Sequence, residues 1–107
     1  MDNVTIKLIQ NIESTESVEK LEMTISMLLF GWVIDDNNKS EYEHLIEISQ
    51  NRLKVLMIIK GDDHPLTHIN MKTDKDRIER VVLKSLMNGI VNDERKRDVL
   101  FDMVSMN

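Results

Sequence analysis

Asp36, Asn38, Ser40 and Glu47 fall at the first, third, fifth and twelfth places of a window in which a calcium loop would carry oxygen ligands. The sixth place is Glu41, where such a loop needs glycine to turn sharply, and Ser40 is better used as a helix cap, so calcium is not expected. Glu41 and His44 make one Glu-x-x-His pair, whereas a dinuclear carboxylate site in a helical bundle needs two. The other histidines do not supply the second, because Gly61 precedes His64 by three residues and Pro65 precedes His68 by three. Asp62, Asp63, His64 and His68 form a looser group whose His-x-x-x-His spacing chelates on a helix. Pro65 opposes helix there, and the group reads as solvated loop. No metal, cofactor or catalytic residue is therefore expected.

Covalent chemistry lacks its parts. There is no cysteine, no Gly-x-Ser-x-Gly elbow, and Gly31, Gly61 and Gly89 are too isolated to cradle a phosphate. The chain reads as a non-enzyme. Cations offer a different chemistry: Arg77, Arg80 and Lys84 share one side of an expected helix, and Arg95, Lys96 and Arg97 open the next. A two-helix unit carrying them suits a helix-turn-helix-like DNA-binding regulator. Asp74, Asp76, Glu79, Asp93, Glu94 and Asp98 are interleaved and nearly cancel that field, so nucleic acid is the alternative rather than the leading partner. Glu13, Glu16, Glu19 and Glu22 form an anionic row that would suit a decoy imitating DNA, and equally the wet side of an amphipathic helix.

These residues need elements to position them. Val18, Leu21, Ile25, Leu28 and Trp32 recur at helical intervals and predict a helix over 15–34, with Ser14 and Thr15 as caps. Asp35 to Asn38 make a turn; Ser40 and Glu43 then form a capping box that opens a helix over 40–60, stopped by Gly61. At its apolar end, 53–60, a buried strand is the competing reading. Residues 61–72 form the longest irregular segment. Thr73 with Asp76 opens a helix reaching about Asn88 and Gly89, and Asn92 caps a final one, giving a C-terminal helical hairpin. Residues 1–12 read as a short helix, although Val4, Ile6 and Leu8 also alternate as in a strand. The expected fold is an all-α bundle of four or five helices forming one domain over 1–107.

Composition supplies the functional argument. Hydrophobic residues are 41% of the 107, and none is alanine, so each apolar side chain is large. A domain this small hides only part of such a supply, and the surplus should meet a partner. The net charge is −5, with ten acids against three lysines in residues 1–50 and nine acids against eleven cations thereafter. With 31% charged residues, no apolar run reaches the roughly 18 residues that cross a bilayer. The first residues lack a signal-peptide pattern, so a cytoplasmic, membrane-free protein is expected. Absence of alanine alongside abundant Ile, Asn, Lys and Met is what an AT-rich genome encodes, pointing to a low-GC bacterium or phage. The leading expectation is a small regulator or inhibitor that binds a protein and forms a homodimer, with Phe30, Trp32, Phe101, Met103 and Met106 as contact residues.

Overall fold

The computed structural model describes residues 2–105. Five α-helices follow one another: α1 (Asn3–Ser14), α2 (Val18–Ile34), α3 (Lys39–Lys60), α4 (Lys75–Met87) and α5 (Asp93–Ser105), with 3-10 turns at Asp36–Asn38 and Pro65–His68. No strand occurs among the described residues. The fold is thus a small all-α bundle. Residues 3–14 are helical, and the apolar run 53–60 continues α3 rather than forming a strand.

Local chemistry sets the helix ends, in places not where the spacing predicts. The α2 helix starts at Val18 because the Ser17 side chain accepts from the Lys20 amide at 3.2 Å, while Ser14 and Thr15 close α1 instead. The α3 helix starts at Lys39, one residue ahead of the expected capping box. Asn38 stands at the cap without a side-chain capping bond, its side-chain amide donating to Asp35 at 2.8 Å, and Glu43 bonds the Trp32 indole N–H and Lys75 instead. Likewise α4 begins at Lys75, and Asp74 accepts from the Asn70 amide. Asn92 does cap α5, accepting from the Arg95 amide at 2.9 Å. Gly61 ends α3 at φ 71°, a left-handed conformation that lets the Asp62 amide reach back to the Met57 carbonyl.

The core runs between α2 and α3. Leu21, Ile25, Leu29 and Phe30 of α2 meet Leu45, Ile46 and Leu53 of α3, and Ile78, Val82 and Leu100 close the cluster from the C-terminal hairpin. The α2 helix is apolar on nearly every side because α3, α4 and α5 all pack on it. It runs antiparallel to α3: Gly31 faces the Tyr42 ring, and Glu22 reaches His64 beyond the far end of α3. The α1 helix lies parallel to α3, pinned at its start by the Thr5 hydroxyl donating to Glu41 at 2.6 Å and at its end by Arg52 donating to the Thr15 carbonyl at 2.8 Å.

Residues 61–74 cross the side of α3 opposite α1. They are not irregular throughout, because Pro65 starts a 3-10 turn at the position where a missing amide costs nothing. Buried Gln50 of α3 ties this strap down, donating to the carbonyls of Leu66 and Ile69 at 2.9 and 2.8 Å.

Candidate functional site

The expected metal groups do not assemble. Asp36 and Asn38 sit in a 3-10 turn, and Ser40 and Glu47 lie along α3, so a helix axis separates ligands that a calcium loop would fold around one point. Glu41 is taken by Thr5, while His44 stands exposed two residues before buried Ile46. His64 and His68 face different ways: His64 is buried with Nε2 2.6 Å from Glu22, and His68 is exposed with Nε2 2.6 Å from Asp63. Among the described residues, no three His, Asp or Glu side chains converge as metal ligands.

His64 does structural work. The Leu66 amide donates to its Nδ1 at 3.1 Å, which leaves that nitrogen without a proton, so Nε2–H is the donor to Glu22. The ring also rests on Phe101 with centroids 5.4 Å apart, and Arg97 approaches the same Glu22 at 3.7 Å. One buried imidazole thereby joins α2, the strap and α5. No spacing in the sequence pairs His64 with Glu22, which lies 42 residues away. The Asp63 carboxyl is held below its ordinary range by the hydrogen bond from His68 and, next, by the His64 backbone.

The residues expected to contact a partner are mostly used inside the molecule, and this corrects the sequence reading. Phe30, Trp32 and Met103 are buried, with 1%, 3% and 4% of their surface exposed, because α2 is covered on both flanks and Met103 turns inward on α5. Phe101 is half-buried against His64, and Met106 lies outside the described residues. The Trp32 ring carries Lys39 over its face at 4.4 Å, and Lys96 lies 5.3 Å from the Phe30 centroid.

The DNA-binding set also divides. Arg77 pairs with Asp74 at 3.5 Å, Lys96 with Asp93 at 3.9 Å, and Arg97 with Glu19, Glu22 and Asp98 within 3.8 Å. Only Arg80, Lys84 and Arg95 remain exposed with no carboxylate at ion-pair distance among the described residues. Arg95 shares the exposed surface of α5 with Asp93, Glu94, Asp98 and Asp102, so a groove-entering helix here would bring four carboxylates to the phosphates. The decoy row loses a member as well, since Glu22 is turned in to His64 and Arg97 while Glu13, Glu16 and Glu19 stay exposed.

A trough of about 810 Å³ lies between α3 and the strap. Glu43, Glu47 and Lys54 of α3 line it together with Lys72 and Lys75, and His44 and His68 line it as well. Its charges are mixed, and Glu43 is already engaged by Lys75 at 3.2 Å.

What stands out on the exterior is apolar. Eleven large hydrophobic side chains are exposed among the described residues, from 37% at Leu8 to 87% at Met87. They collect in four places: Val4, Ile6 and Leu8 on α1; Met27 and Ile34 on α2; Val55, Ile58 and Ile59 at the end of α3; and Leu83, Met87 and Val91 around the α4–α5 turn. Sequence period alone does not single out Met27, Ile34, Ile58 and Ile59, because they lie in runs that are apolar on several sides. No described helix is long and apolar enough to cross a membrane. The described residues thus form a five-helix all-α bundle that carries grouped large apolar side chains on its exterior. Compared with family models, curated proteins and solved structures, the chain matches none.

Proposed function

We propose that this protein is a small non-enzymatic regulator or inhibitor that acts by binding a protein through its apolar exterior. The observation that carries the reading is that Val4, Met27, Ile34, Ile58, Ile59, Met87 and Val91 remain outside a core already filled by Phe30, Trp32, Leu53 and their neighbours. Exposed apolar side chains grouped on helix faces cost solvation unless a partner covers them. We place its action in the cytoplasm of a low-GC bacterium or its phage. Nucleic acid ranks below a protein partner, because the exposed cations Arg80, Lys84 and Arg95 are outnumbered by exposed carboxylates on α4 and α5.

The test is retention of a partner from a low-GC bacterial lysate at high salt by the wild type and by Met27→Glu, Ile59→Glu and Met87→Glu. One patch variant should lose a protein that the wild type holds, with little dependence on ionic strength. Equal retention by all three variants, or binding that collapses with added salt, would refute the reading.

A further inference from the structure

The strap carries two histidines that stand in opposite situations toward a proton. His68 is exposed and meets Asp63 through Nε2, while its Nδ1 bonds nothing among the described residues. Its ring takes a second proton without giving up a bond. His64 is 5% exposed, and both of its nitrogens are committed: Nε2–H donates to Glu22 at 2.6 Å, and Nδ1 accepts from the Leu66 amide at 3.1 Å. A second proton can go only to Nδ1, where it would point at the Leu66 N–H, donor against donor. Protons can reach the ring, because it lines an open depression of about 210 Å³ with Lys54, Asp62, Asp63 and His68. The charged groups around it come from three sides. Glu22 lies on α2 with Glu19 one turn before it, Arg97 of α5 stands 3.7 Å from Glu22 and 3.8 Å from both Glu19 and Asp98, and Lys54 belongs to α3. Glu22 favours a charged ring, and Arg97 and Lys54 oppose it; the acceptor at Nδ1 is lost in either case.

We propose that His64 is an acid-released latch, which opens the first part of the strap when its ring takes a second proton. The 3-10 turn Pro65–His68 is capped by His64, and since Pro65 has no amide, Leu66 supplies the first donor that needs the ring. The Thr67 amide and hydroxyl both donate to the His64 carbonyl, at 3.1 and 2.6 Å, so the turn follows its cap. Gln50 does not titrate and keeps its hold on the Leu66 and Ile69 carbonyls, which confines the opening to the stretch between Gly61 and Thr67. The departing ring also uncovers Phe101, now half-buried against it, so acid adds an aromatic side chain to the exterior. The latch stands whether or not the apolar exterior binds a protein.

The experiment is NMR of the full chain between about pH 8 and pH 5, the range in which imidazoles ordinarily titrate, reading the His64 ring nitrogens and the hydrogen-exchange protection of the Leu66 and Thr67 amides. At the upper limit Nε2 should carry the proton and Nδ1 none. As the ring takes its second proton, protection of the Leu66 amide should fall about tenfold, the worth of roughly one hydrogen bond, while buried Ile25 and Leu53 keep theirs. His64→Asn retains a side-chain acceptor at the cap without a titrating ring, so its Leu66 amide should stay equally protected throughout. His68→Gln should respond to acid as the wild type does. The proposal is overturned by a neutral ring with its proton on Nδ1, by a Leu66 amide equally protected beside a charged ring, or by a ring that stays neutral to the lower limit. It is also overturned if helical circular dichroism is lost together with the strap, if His64→Asn keeps the acid response, or if His68→Gln abolishes it. The wild-type titration gives the answer even if His64→Asn fails to fold.

Discussion

Gly31→Ala tests the packing of α2 on α3 at its tightest point. A Cβ added at Gly31 would lie 2.6 Å from Cε1, 2.9 Å from Cζ and 3.0 Å from Oη of Tyr42. Carbon contacts settle near 3.5 to 4.0 Å, so the ring must retreat about 1 Å from a half-buried position. Overpacking of this kind costs about 1–3 kcal/mol. Replacing glycine inside a helix returns about 1 kcal/mol in propensity. The net expectation is a loss of about 0–2 kcal/mol, seen in urea unfolding followed by helical circular dichroism and by Trp32 fluorescence. The sign should reverse in a Tyr42→Ala background, where the obstacle is gone and Gly31→Ala should stabilise by about 1 kcal/mol. The coupling between the two sites is then about 1–3 kcal/mol. If Gly31→Ala stabilises the wild type and the Tyr42→Ala variant equally, the ring does not cover Gly31 and the α2–α3 register is wrong.

Gln50→Leu should cost about 1–3 kcal/mol by leaving the Leu66 and Ile69 carbonyls without their buried donor, and amide exchange across the strap should speed up selectively. His64→Leu should also cost about 1–3 kcal/mol, because Glu22 and the Leu66 amide both lose a partner; chemical denaturation reads it. Phe30→Ala should lose about 3–5 kcal/mol and Ile59→Ala no more than about 0.5, so comparable losses would mean that the core assignment is mistaken. Asp63 titrates below its ordinary range in the folded chain, so its pairing with His68 stabilises above that range and the contribution disappears as pH falls through the folded value. Thermal melts between about pH 5 and pH 2 should therefore fall less steeply for Asp63→Asn than for the wild type.

Helical spacing and turn chemistry are local, and they made the bundle legible. The stripe from Val18 to Trp32, the stop at Gly61 and the cap at Asn92 each depend on neighbours within a turn or two, so the α-helices and the hairpin follow from the chain itself. Capping failed where a distant residue competed: Glu43 was expected to close a box with Ser40, but Trp32 and Lys75 claim it. Phe30 and Trp32, expected as contact residues, are buried through segments equally distant in the chain. Size and aromaticity mark Phe30 and Trp32 as energetic anchors, yet whether an anchor faces a partner or its own core depends on which helices flank α2.

The sequence by itself determined that this is an all-α chain with more large apolar side chains than a small bundle absorbs, because periodicity and composition are properties of short windows and simple counts. Only the tertiary structure decided which of those side chains remain outside, and that Glu22, His64 and Arg97 meet. Both depend on contacts between segments tens of residues apart. Burial is a property of packed neighbours, and no local pattern encodes it.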